Sequence, residues 1–154
     1  PQSFVSDKPV IKEVLKAIDT NPAIELDRNP DGFVSLSRAS AMVSDISGVI
    51  FDYAFVFLRP VVAVGPGPIK DGFEAWEIPH KAWEEEILSK IGERLFEADE
   101  GALLAALKRV MEAKVTLKQT IQAVRDANIA HFGCAAEPIA QALIDEQVRG
   151  MRRD

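Results

Sequence analysis

The chain is short of the residue types that build special-purpose sites: its 154 residues include one cysteine, two histidines and one tyrosine. A lone Cys134 excludes a disulfide framework and any Cys-x-x-Cys metal or redox pair; beside Gly133, it reads as a small packing residue. His80 and His131 stand too far apart to form a local metal-ligating pair, and no nucleophile-elbow serine is present, so neither metal-assisted nor Ser-His-Asp catalysis is expected. No cofactor is expected either. With 18 Lys+Arg against 24 Asp+Glu, a net charge of −6 and no cationic run beyond two residues, nucleic acid is not an expected partner, because such binding rests on clustered cations. The longest apolar run, residues 48–58, is broken by Asp52 and falls short of the roughly 20 residues that span a bilayer. The start, Pro1-Gln2-Ser3-Phe4, has no Met and no basic or apolar leader segment, so a piece cut from a longer protein is expected.

What is present is 47% hydrophobic residues, enough for one domain whose folding buries about two-thirds of the chain's surface. Val10, Ile11, Val14, Leu15 and Ile18 recur at helical spacing between Asp7, a good N-cap, and Asn21-Pro22, which predicts a helix over residues 8–20. A short strand at 24–26 follows, then the turn cluster Asp27-Arg28-Asn29-Pro30-Asp31-Gly32, a short helix over 33–40 and a strand at 41–45. Residues 47–58 are apolar on nearly every side and predict a buried helix; Val61-Val62-Ala63-Val64 predicts a strand covered on both faces. Gly65-Pro66-Gly67-Pro68 opens a loop reaching to about Pro79. Helices are predicted at 81–91, 99–113, 116–128 and 135–152, with a short strand at 94–96. In the first of these helices Glu84-Glu85-Glu86 form the wet face opposite Trp83, Ile87 and Ile91. The strands near 23–27, 41–45 and 61–64 are expected to lie parallel in one sheet with the 47–58 helix against it.

The segment richest in chemistry is Val43-Ser44-Asp45-Ile46-Ser47-Gly48-Val49-Ile50, where a strand ends in small polar residues and a helix begins at once. Ser47 is placed to cap that helix. The first N–H groups of a helix lack intrahelical acceptors and the dipole is positive there, so phosphate can be held without a lysine. Gly48 lets a ligand approach the backbone. Asp45 is assigned to hydroxyl binding or to bracing the turn, since a carboxylate repels phosphate. Simple helix capping by Ser47 explains the same pattern without a ligand.

Asp27-Arg28-Asn29-Pro30-Asp31-Gly32-Phe33, Ser35-Leu36-Ser37-Arg38-Ala39, the segment from Val43 to Ala54 and Arg59-Pro60-Val61-Val62 resemble the C-terminal half of the CDP-glycerol glycerophosphotransferases, the teichoic-acid primases and polymerases. The resemblance covers residues 1–64 and continues loosely through Arg125-Asp126-Ala127-Asn128 and Phe132-Gly133. It implies an α/β fold: a partial Rossmann-like, three-layer domain with a parallel sheet and a helical C-terminal half, the C-terminal lobe of a GT-B enzyme. Residues 1–68 would be its donor-binding part and 69–154 its mainly helical part. Ser44, Asp45, Ser47, Gly48 and Val49 would bind a CDP-alditol at its phosphates, for transfer of glycerol phosphate to a cell-surface polymer held by a second lobe. Pro1 stands where the family's Arg-Pro-His-Pro motif would end, so its histidine would lie just upstream. The resemblance further implies a cytoplasmic chain whose parent is peripheral at the inner face of the membrane, and a piece that is inactive alone and self-associates through surface the missing neighbours would cover. A nucleotide-sugar 2-epimerase-like lobe shares the Ser-Asp-x-Gly turn and is the alternative enzyme; a non-catalytic α/β interaction module is the alternative outside enzymes.

Overall fold

A computed structural model of the chain describes residues 8–66 and 82–151, and divides the chain into two compact units, Pro1–Arg38 and Ala39–Asp154. Asp7, the greater part of the loop from 67 to 79, His80 and Arg152 lie outside the described residues.

In the first unit, helix α1 (Lys8–Thr20) matches the helical spacing of its apolar residues; Ile11, Leu15 and Ile18 are half-buried while Val10 and Val14 are exposed. Its last turn is closed by the Thr20 hydroxyl donating back to the Lys16 carbonyl at 2.9 Å. The Asp27-to-Gly32 cluster forms three successive Asx turns: the N–H groups of Asn29, Asp31 and Phe33 donate to the side-chain oxygens of Asp27, Asn29 and Asp31 at 2.8, 3.0 and 3.0 Å. The Ser35 hydroxyl also donates to Asp27, and helix α2 (Phe33–Arg38) begins where the turns end. The expected strand at 24–26 is absent. Its backbone is engaged locally, Ile24 N–H donating to the Asn21 carbonyl at 3.0 Å, and Ile24 and Leu26 are exposed with no strand paired to them among the described residues. Two alternating apolar residues do not stabilise a lone strand in water.

The second unit holds a three-stranded parallel sheet in the order β1 (Met42–Ser44), β2 (Val61–Val64), β3 (Gly92–Leu95). The parallel pairing of the 41–45 and 61–64 strands is as expected; the third strand comes from the second half of the chain and replaces residues 23–27. Helix α3 (Val49–Phe57) joins β1 to β2, and α4 (Trp83–Ile91) leads directly into β3. Helices α5 (Glu100–Glu112), α6 (Lys114–Asn128) and α7 (Ala136–Met151) complete the unit. The class is therefore mixed α/β. Among the described residues no helix is long and apolar enough to cross a membrane.

Strand β2 is central, and Val61, Val62 and Ala63 are completely buried, which explains its unbroken apolar sequence. Partners in a parallel ladder point to the same face, so Val62, Val64, Glu93 and Leu95 share one face and Val61, Ala63, Gly92 and Arg94 the other. The first face packs on α5, with Val62 against Ala106 and Val110, and Glu93 accepting both arms of Arg109 at 2.7 and 2.6 Å. The second face is covered by α3 and α4, which lie side by side with the Phe51 and Trp83 rings 5.1 Å apart. Gly92 is glycine for want of space: a Cβ there would collide with the Val61 carbonyl across the ladder.

Helix α3 buries Ile50, Tyr53, Ala54 and Phe55 and leaves Val49, Asp52 and Val56 outside, so its apolar surface is broad without being covered all round. Leu58 ends it in the left-handed conformation, φ 52° and ψ 47°, a strain of roughly 1 kcal/mol that turns the chain into β2 within three residues. The C-terminal end of α6 fastens both crossover helices. Trp83 Nε1 donates to Asn128 Oδ1 at 2.9 Å, and Arg125 reaches the Phe55 carbonyl at 3.3 Å while stacking 4.5 Å from the centre of the Phe132 ring. The expected packing role of Cys134 is overturned: it is exposed in the turn after α6, where His131 (φ 55°) and Gly133 (φ 76°) both adopt left-handed backbone and keep the segment at the surface.

Candidate functional site

The C-terminal ends of β1 and β2 and the first turns of α3 and α4 meet at one edge of the sheet, where open α/β sheets bind ligands. A cavity of about 350 Å³ opens there, lined by Ile46, Ser47, Gly48 and Phe51 on one side and Ala82, Glu84 and Glu85 on the other. Of the residues singled out in the sequence, Ser47 and Gly48 line this cavity; Ser44, Asp45 and Val49 flank them outside its lining.

The turn differs from the expected cap. Gly48, already helical at φ −56° and ψ −30°, is the N-cap, and no side chain caps α3. The physical reason lies one residue earlier: Ser47 N–H donates to the Asp45 carbonyl at 3.0 Å and the Ser47 carbonyl accepts from Ile50 at 3.1 Å, so a tight turn precedes the helix and draws Ser47 into it. The Ser47 hydroxyl makes no hydrogen bond among the described residues, and the N–H groups of Gly48 and Val49 have no acceptor there. Asp45 is exposed, its carboxylate accepting from the hydroxyl of the adjacent Ser44 at 3.3 Å. A Cβ built at Gly48 meets nothing within 4 Å, so the backbone faces open space.

The opposite wall is acidic. Glu84, Glu85 and Glu86 occupy the first turn of α4, where carboxylates offset the positive end of that helix's own dipole. Glu84 and Glu86 are exposed, as expected from the sequence, whereas Glu85 is half-buried. Trp83 is instead drawn against Phe51 and Phe55.

One residue at this edge escaped the sequence reading. Arg94 donates through Nη2 to the Gly65 carbonyl at 2.8 Å and lies 4.9 Å from the centre of the Phe96 ring, while its buried Nη1 has no hydrogen-bond partner among the described residues. Its signal in the sequence is a charge at an inward position of a short strand, visible only once the register with β2 is known. Among the described residues no cluster of His, Cys, Asp or Glu could hold a metal ion; His131 is exposed, and His80 lies outside them. No family model, curated protein or solved structure matches the chain.

Proposed function

We propose that the chain is the donor-binding lobe of a GT-B-type, Rossmann-like transferase that moves an alditol phosphate from a CDP-activated donor to a polymer hydroxyl. The observation that carries this reading is the cavity at the start of α3, with two unclaimed N–H groups, a free serine hydroxyl and an open glycine on one wall. That wall suits the donor's phosphates, and the sequence of the same turn carries the resemblance to the CDP-glycerol glycerophosphotransferases. Arg94, near the C-terminal end of β3, adds a positive charge with an unused donor at the same sheet edge. Glu84 and Glu85 suit hydroxyls of the ribose or the alditol, which donate to carboxylates. Their repulsion of a phosphate in so open a cavity is about 1 kcal/mol or less, because water screens it.

In the reaction, an acceptor hydroxyl attacks the phosphorus that bears the alditol, the bond to the bridging oxygen breaks and CMP leaves. The contribution of this chain is to hold the donor still. The base that takes the acceptor's proton belongs to the other lobe. Calorimetric titration with CDP, CDP-glycerol and UDP-N-acetylglucosamine tests the reading: the cytidine ligands should bind and lose affinity in Arg94→Gln, whereas preference for the uridine ligand would favour the epimerase-like alternative.

A further inference from the structure

We infer that a second cavity, at the opposite edge of the sheet, binds a phosphate attached to an apolar chain. About 570 Å³ in volume, it lies where α3 turns into β2 and α5 turns into α6. Among the described residues three cations line it, Arg59, Lys114 and Lys118, and no carboxylate does, although the chain as a whole carries six more acidic than basic residues. Opposite charges are therefore segregated between the two cavities, with Glu84 and Glu85 in one and all three basic groups in the other.

The cations differ in freedom. Arg59 is fixed: its guanidinium donates to the Ala39 carbonyl and lies 5.8 Å from the centre of the Phe57 ring, so it forms part of the wall. Lys114 and Lys118, one helical turn apart on α6, are exposed and have neither an ion pair nor a side-chain hydrogen bond among the described residues. They can close on an anion from one side. Apart from Ser40, the other lining residues are apolar, among them Phe57, Met111 and Val115, the last 68% exposed. A bare inorganic anion would leave those walls wet. A phosphate carrying an alkyl chain fills both parts, the headgroup at the lysines and the chain along Phe57 and Met111, and that chemistry is shared by a soluble alkyl phosphate and a phospholipid headgroup.

The test titrates the chain with monomeric octyl phosphate, inorganic phosphate and octyl glucoside, and separately measures sedimentation with vesicles of phosphatidylglycerol against phosphatidylcholine. Octyl phosphate should bind more tightly than either partial mimic, and Lys114→Gln/Lys118→Gln should weaken it about tenfold or more. The exposed pair Lys90→Gln/Lys108→Gln removes the same charge elsewhere and should leave binding unchanged. Lysine-dependent binding of octyl phosphate assigns a soluble ligand; lysine-dependent binding of anionic vesicles alone assigns a bilayer headgroup. Absence of both, or equal loss in the two double variants, overturns the inference.

Discussion

Gly48 separates the proposed function from the fold more cleanly than any other position. Open space surrounds its missing Cβ, so Gly48→Val should leave the melting temperature nearly unchanged while obstructing approach to the free N–H groups of residues 48 and 49. Ser47→Ala is a second clean probe, because no cap bond is lost: its cost should be a few tenths of a kcal/mol in a denaturant titration, against about 1 kcal/mol for a true N-cap serine. Gly92 is the opposite case. Gly92→Ala forces a methyl group into the Val61 carbonyl and should cost about 2–4 kcal/mol, read as a drop in the denaturant midpoint with binding unaffected in the surviving folded fraction. Tyr53 sets an alkaline limit. Burial raises its phenol above the ordinary value of 10.0, with Arg59 opposing, and the hydroxyl donates to the Ala39 carbonyl at 2.9 Å. The folded state therefore holds this proton more tightly than the unfolded chain, so the contribution is full below pH 10.0 and is lost as pH rises through the raised value. Tyr53→Phe should be about 1 kcal/mol less stable at neutral pH and should lose less stability than the parent between neutral pH and pH 11.

At the scale of elements, the clamp formed by α6 explains residues that the sequence marked without a role. Arg125, Asn128 and Phe132 tie α3 and α4 to the end of α6 through the Phe55 carbonyl, the Trp83 indole and a stacked ring. Trp83→Phe keeps the ring contact with Phe51 but removes the donor to Asn128, and should cost about 1 kcal/mol with faster hydrogen exchange in the first turn of α4. The central strand was legible because β2 is buried on both faces and its composition records that. Helices α1, α5 and α6 were legible from their periodicity, and α5 from its Asp99 cap, whose carboxylate accepts from Ala102 at 2.7 Å. The strand at 24–26 misled because alternation over three residues carries no information about a partner. The pairing of β3 with β2 was hidden for the same reason: nothing local in Gly-Glu-Arg-Leu reveals that its glycine lies against Val61. At the site, the glycine and serine could be read from the turn, whereas Glu84 and Glu85 reach it, and Arg94 reaches the Gly65 carbonyl at the same sheet edge, through long-range packing.

For the whole molecule, half a cleft is the consequence of the proposal. With the phosphates held at one sheet edge and the base and acceptor supplied from another lobe, the chain given CDP-glycerol and a glycerol-phosphate acceptor should release no CMP above the blank, since positioning of both reactants supplies much of the acceleration. Its donor affinity should be weak, because a cavity of about 350 Å³ covers only part of a CDP-alditol. The most direct measurement is calorimetric titration of CDP-glycerol into the parent chain and into Gly48→Val, with thermal unfolding of both recorded alongside. The expected result is saturable binding by the parent, weakened about tenfold or more in the variant at an unchanged melting temperature. Equal affinity in two equally stable proteins, or no binding by the parent chain, would contradict the assignment of the α3 turn as the donor site.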